Sequence, residues 1–151
     1  MSRALAISRV LGLVAVLVSS TSLAQAIEYR SVGQPSIMYD APSEKGKRLF
    51  IVAAGTPLEV VVTLDKWVKV RDAAGALTWV ERRALSDKRT VQVTAARASV
   101  RQNPAEDAPV AFETVKDVVL EFVSQPGNGW IQVRHKDGAS GYLRVTEAWG
   151  V

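Results

Sequence analysis

The stretch Pro57–Thr63 (PLEVVVT), the connector Leu64-Asp65-Lys66 and the stretch Trp67–Arg71 (WVKVR) decide how this chain folds. Apolar residues recur at every second position. Leu58, Val60 and Val62 share one face, and Val68 and Val70 continue it. A period of two with many β-branched side chains is a strand signal, because successive side chains of an extended chain point to opposite faces. Leu64-Asp65-Lys66 then reads as the loop of an antiparallel hairpin that sets Glu59 opposite Arg71 and Thr63 opposite Trp67.

The arrangement occurs twice. Leu120 and Phe122 are expected to face inward with Ile131 and Val133, around a loop at 126–129 that sets Glu121 opposite Arg134 and Gln125 opposite Trp130. An offset of 62 residues aligns Pro42 with Pro104, Glu44 with Glu106 and Leu58 with Leu120. After one inserted residue the offset is 63, and Trp67 meets Trp130, Arg71 meets Arg134 and Gly75 meets Gly138. Shared order with a single insertion marks an internal repeat. Two modules follow, 27–85 and 90–151, joined by the linker 86–89 (SDKR). With no Gly or Pro in so short a linker, the modules are expected to keep a fixed orientation. Asp137-Gly138, read as a two-residue hairpin turn, sets Tyr142 opposite inward Val133. Ala74-Gly75 likewise sets Trp79 opposite Val70, so Trp79 and Tyr142 are expected in the cores.

Five short strands in about 60 residues, with long irregular loops at 39–49 and 101–110, fit a small SH3-like β-barrel. The expected class is therefore all-β, two tandem SH3-like barrels. A Greek-key sandwich spanning both halves is the alternative, and the repeat argues against it. Stretches 37–42, 57–81, 98–104 and 119–144 resemble the bacterial SH3 (SH3b-like) family. The likeness rests on the opening Val100-Arg101-Gln102-Asn103-Pro104, the Trp-hydrophobic-x-Val-Arg strand of both copies and the closing Gly141-Tyr142-Leu143. The first copy departs at Met38-Tyr39-Asp40-Ala41-Pro42 and at Thr78, where the family favours Gly. The resemblance implies a barrel and an exported, envelope-associated binding role, towards cell wall or a partner protein, with no chemistry of its own.

Residues 1–26 read as a secretory signal peptide. Arg3 and Arg9 precede the apolar run 10–18 (VLGLVAVLV), and Ala24-Gln25-Ala26 offers the small-x-small cleavage pattern. Such a run is too short to cross about 30 Å of hydrocarbon. Cleavage after Ala26 would leave no stable membrane anchor and a periplasmic or secreted protein. It would also leave 17 basic against 15 acidic side chains, a net +2. No dense Lys/Arg block is present, so nucleic acid is not an expected partner.

The 151 residues include no Cys and one His, which removes disulfides, thiolate metal sites, Cys nucleophiles and multi-His metal sites. His135 lies between Arg134 and Lys136 and reads as a solvated strand-end residue. No G-x-S-x-G elbow is present to pair with it. Glu106 and Asp107 adjoin on a polar loop, which is not an acid/base pair across a cleft. Gly127-Asn128-Gly129 is too short to cradle phosphate. No enzyme activity, catalytic residue, metal site or cofactor is expected.

Binding is the remaining chemistry. Trp67 and Trp130 start equivalent strands on the face away from the core, where an indole gives a rigid platform for a sugar ring, a proline or an aliphatic side chain. They could equally be buried where the modules meet or under a long loop. Arg71 and Arg134 share their face and pair with Glu59 and Glu121, a modest cross-strand stabilisation. Tyr39 and Arg101 open equivalent loops beside the same groove. The expected ligand-binding set is thus Trp67, Trp130, Tyr39, Arg101, Arg71 and Arg134, and the expected ligand is peptidoglycan or its peptide stems. Two alternatives stay open: an adaptor or assembly factor that binds an envelope protein, and a dimer formed through the tryptophans.

Overall fold

The alternating runs become strands in both halves of the computed structural model, which describes residues 25–151. The expected leader lies almost wholly at 1–24, outside the described residues. The first half holds β1 (Glu28–Val32), β2 (Ser36–Tyr39), β3 (Arg48–Val52), β4 (Pro57–Thr63), β5 (Trp67–Arg71), β6 (Leu77–Glu81) and β7 (Leu85–Ser86). The second holds β8 (Thr90–Val93), β9 (Arg97–Arg101), β10 (Val110–Val115), β11 (Val119–Gly127), β12 (Trp130–Arg134), β13 (Ser140–Arg144) and β14 (Ala148–Trp149). The strand orders, β3-β2-β6-β5-β4-β1-β7 and β10-β9-β13-β12-β11-β8-β14, are the same topology twice. Each module is an SH3-like barrel, so the repeat read from sequence is a repeat of fold. There are seven strands per sheet rather than five because the loop arms β3 and β10 and the two-residue closing strands also pair. Ser86, expected in the linker, pairs with Ser31 and belongs to the first module.

Each core is small and aliphatic. Val32, Met38, Leu58, Val68, Val70 and Val80 fill the first, and Val91, Val93, Val100, Leu120, Ile131, Val133 and Leu143 the second. Burial of each is worth about 1.5–3 kcal/mol.

The register departs from expectation in three places. The pair Glu59/Arg71 holds, but the β4–β5 ladder shifts between Val60 and Val62, so Thr63 meets Val68 rather than Trp67 and Val62 turns to solvent. Trp130 likewise meets Gly127, not Gln125, because β11 also carries irregularities and runs on to a two-residue turn. That turn is Asn128-Gly129, with φ of 54° and 80°, the positive-φ pair a type I′ hairpin requires.

The third difference moves two aromatics. Asp72 N–H donates to Ala76 and His135 N–H to Ala139, with Gly75 (φ 89°) and Gly138 (φ 97°) closing each turn. The loops therefore contain three residues inside the closing pair, not two, and the register slips by one. A one-residue slip reverses every side chain. Thr78 and Gly141 oppose Val70 and Val133, while Trp79 and Tyr142 oppose Lys69 and Gln132 on the outer face. Trp79 and Tyr142 are half-buried outer residues and belong to neither core. Asp137 accepts the Ala139 N–H in this turn, which, with the neighbouring His135, lowers its pKa from the ordinary carboxylate value.

The modules meet along β1 and β8. Ser31 Oγ donates to Lys88 O (2.6 Å), Thr90 Oγ1 donates to Gly55 O (2.7 Å), and Tyr29 meets Trp149 edge-to-face at 5.2 Å. Arg89 passes between them: its guanidinium lies 4.9 Å from the Phe122 ring and 5.7 Å from the Tyr29 ring, and Nη2 donates to Gly150 O at 2.8 Å. Burial at this junction, and then the Glu59 charge, raise the Tyr29 phenol above its ordinary pKa. The Phe122 and Gly150 contacts fix Arg89 on the second module, and the Tyr29 contact, worth about 0.5–2 kcal/mol, is the one that reaches across to the first. Arg89→Ala is expected to loosen the junction while both modules stay folded. Backbone 15N relaxation will read this as a shortened rotational correlation time, and an unchanged value would show that Arg89 does not lock the junction.

Candidate functional site

Trp67 and Trp130 both leave their strands on the face opposite the core, as expected, but their surroundings differ. In the first module Tyr39 meets Trp67 edge-to-face, centroids 5.2 Å apart at 87°. Tyr39 is itself buried at 5% exposure, so it fixes the indole rather than offering a surface of its own. Trp79 stands beside Tyr39 across the β2–β6 ladder with the Lys69 ammonium 5.9 Å from its ring. Tyr39, Trp67 and Trp79 thus form an aromatic outer face on which both tryptophans stay half-exposed.

In the second module the equivalent indole is covered. Trp130 is only 4% exposed. Arg144, directly across the β12–β13 ladder, lays its guanidinium 4.2 Å from the Trp130 ring, and Arg144 Nε donates to Glu106 Oε1 of loop 102–109 at 2.6 Å. Arg101 Nη1 donates to Ala108 O at 2.9 Å and holds the same loop down. The expectation of a second open platform is therefore corrected: Trp130 is buried under the long loop.

The repeat explains the asymmetry. Glu106 and Arg144 correspond to Glu44 and Glu81, and Trp67 faces Glu81 as Trp130 faces Arg144. Two carboxylates cannot form the strap that a carboxylate and a guanidinium form. Glu81 pairs instead with the exposed Arg83, and Glu44, Asp65 and Glu81 line a cavity of about 550 Å³ together with Lys66, Arg82 and Arg83. In the second module a cavity of about 410 Å³ lies beside Trp130, Arg101, Glu106 and Arg144, so what differs between the modules is the indole itself, half-exposed at Trp67 and capped by Arg144 at Trp130.

Arg71 and Arg134 are not part of either groove. They sit at the far ends of β5 and β12, roughly 13 Å from the tryptophans at the usual rise per residue. Arg71 Nη1 lies 3.0 Å from both Glu59 oxygens, a sheet-stabilising pair. Arg134 lines a cleft between the modules, discussed below. The six expected residues thus divide among four places: Trp67 with Tyr39, Trp130 with Arg101, Arg71 at Glu59, and Arg134 in the cleft. Trp79 was missed because its turn was read as two residues long. Asp72 and Gly75, at the first and fourth positions of a type I turn, carry the signal that corrects it. Among the described residues no three His, Asp or Glu side chains gather in a way that could hold a metal ion.

Two barrels of one topology, each with an aromatic-bearing outer face, define a tandem SH3-like protein. The family model described as bacterial SH3 domain matches residues 32–87 and again 94–150, and the chain belongs to that family. No curated protein matches it. Among solved structures it is similar to NlpC1 from Trichomonas vaginalis (12% identity, TM-score 0.38), covering 91% of this chain and 50% of that one. It is similar also to an NlpC/P60 family protein from Bacillus cereus (16% identity, TM-score 0.38), covering 81% of this chain and 56% of that one. The chain thus spans about half the length of these proteins.

Proposed function

We propose that this protein is a non-enzymatic, exported binding module that attaches to peptidoglycan through the outer face of its first barrel. The carrying observation is the half-exposed Trp67, held edge-on by buried Tyr39 on the same outer face as half-exposed Trp79. A fixed aromatic loses little conformational freedom when it stacks on a sugar ring or a peptide plane. Membership of the bacterial SH3 domain family and the leader read from sequence support an envelope setting.

The test is co-sedimentation of the purified tandem with protease-cleaned sacculi. Saturable pelleting is expected, weakened at least tenfold by Trp67→Ala and within twofold of wild type for Arg71→Ala, with each fold checked by circular dichroism. Wild-type protein that stays in the supernatant would overturn the wall reading. One observation favours the adaptor reading in that event. Strand β3 is a sheet edge, and Leu49, Phe50 and Ile51 on it are exposed, Ile51 by 70%. Such an edge can add an extended peptide as a further strand, and protease treatment of the envelope would then abolish binding.

A further inference from the structure

A cleft of about 650 Å³ opens where the modules meet, away from both tryptophans. Its apolar lining is Val32 and Ala54 from the first module and Val118 and Val119 from the second, beside the hydroxyls of Ser31, Ser86 and Thr90. Its rim is basic: Lys88 of the linker, Arg134 and Lys136, with His135 beside them and Glu121 the one carboxylate lining it. Leaving His135 aside, the lining carries three positive charges against one negative.

The repeat shows what is missing. In the first module Glu59 is held by Arg71 alone, at 3.0 Å through both oxygens. In the second, Glu121 turns one oxygen to Lys88 Nζ at 3.3 Å, and Arg134 Nη1 stands 4.0 Å from the other. That distance is an ion pair without a hydrogen bond. Two cations share one carboxylate, and the planar fork of Arg134, half exposed, is left with donors to spend. A guanidinium in that condition is matched by a second carboxylate, which it can grip through two parallel N–H donors. The place for it is bounded by small aliphatic side chains. A carboxylate with a small apolar side chain on the same carbon matches the basic and the apolar lining together, whereas a phosphate matches the basic lining alone.

We infer that the inter-module cleft is a second binding site, independent of the Trp67 face, for the C-terminal carboxylate of a peptide ending in small apolar residues. The site exists only in the docked tandem, since its lining comes from both modules and Lys88 from the connection between them.

The experiment is a 1H–15N titration of the purified tandem with N-acetyl-alanyl-alanine, its C-terminal carboxamide and inorganic phosphate. Saturable shifts at Gly55, Val119 and Arg134 with the acid, at millimolar concentration or below, are expected. The carboxamide and phosphate should bind at least tenfold more weakly. Arg134→Gln should weaken the acid at least tenfold and Lys88→Gln several-fold. Trp67→Ala should leave the acid titration unchanged, which separates this site from sacculus attachment. Equal affinity for acid and carboxamide, phosphate binding as tightly as the acid, or an Arg134→Gln protein within twofold of wild type would each overturn the proposal. Because Arg134 is a half-exposed strand-end residue, the variant's own spectrum reports whether it is folded.

Discussion

Gly141→Ala is expected to cost the second module about 3 kcal/mol, the upper part of the usual overpacking range. A Cβ at this position would stand 2.5 Å from Arg101 O and 2.8 Å from Val100 Cγ1. The first obstacle is backbone on the neighbouring strand β9, so no rotamer change relieves it. Strand β9 would have to move outward, and it carries Ala98 and Val100 into the core. A module of this size holds only about 3–9 kcal/mol in all, so the substitution removes much of its stability. Each kcal/mol lost shifts the melting temperature of so small a domain by about 4–8 °C. Calorimetry should therefore show the second module's transition moving down by at least 10 °C, with the first module's transition little changed. A fall of under 3 °C would mean that β9 yields freely. The first module carries Thr78 at the equivalent place, buried and opposite Val70 as Gly141 is opposite Val133. Opening that gap for a side chain is thus compatible with the fold, but in a barrel built around it.

The legible features of this fold were those with a short period or a long repeat. Alternation in 57–63 and 67–71 placed Leu58, Val68 and Val70 in the core, and the 62–63 residue offset placed Trp130 where Trp67 is. Pairing around the first hairpin located Glu59 opposite Arg71 correctly. Errors began wherever one residue decided the outcome. A bulge after Val60 and a third residue in two turns each reversed a face, because a strand has only two faces to choose between. The site was less legible than the fold for a different reason. Trp67 and Trp130 sit in near-identical local sequence, and their difference in exposure comes from residues far along the chain. Arg144 and Glu106 are 38 positions apart, and the exchange of that arginine for Glu81 in the first module becomes meaningful only once the two strands are seen side by side. The junction was hidden too. A charged linker suggested restraint, but nothing in its composition indicated that Arg89 would lie between two rings.

Trp130→Ala is expected to destabilise the second module by about 3–5 kcal/mol, whereas Trp67→Ala should cost the first only about 1–2 kcal/mol. The two residues share sequence context, strand position and face, so a purely local account predicts equal costs. Burial predicts unequal ones. Removing Trp130 takes away a side chain that is 96% covered, leaves the Arg144 guanidinium without the ring beneath it, and frees the loop that Glu106 anchors. Removing Trp67 takes away a half-exposed side chain whose neighbour Tyr39 keeps its place on the β2–β6 ladder. The consequence for binding runs the opposite way. Trp130→Ala should leave sacculus attachment intact wherever the first module remains folded, and Trp67→Ala should weaken it at least tenfold in a protein whose melting temperature falls by less than that of Trp130→Ala. Thermal unfolding and co-sedimentation on the same two variants therefore give a crossed pattern, with stability lost in one and attachment lost in the other. If both variants lost stability equally, the cover that Arg144 gives Trp130 would be incorrect. If both lost attachment equally at a temperature where each is folded, recognition would involve both modules and the strap over Trp130 would have to open to admit the ligand.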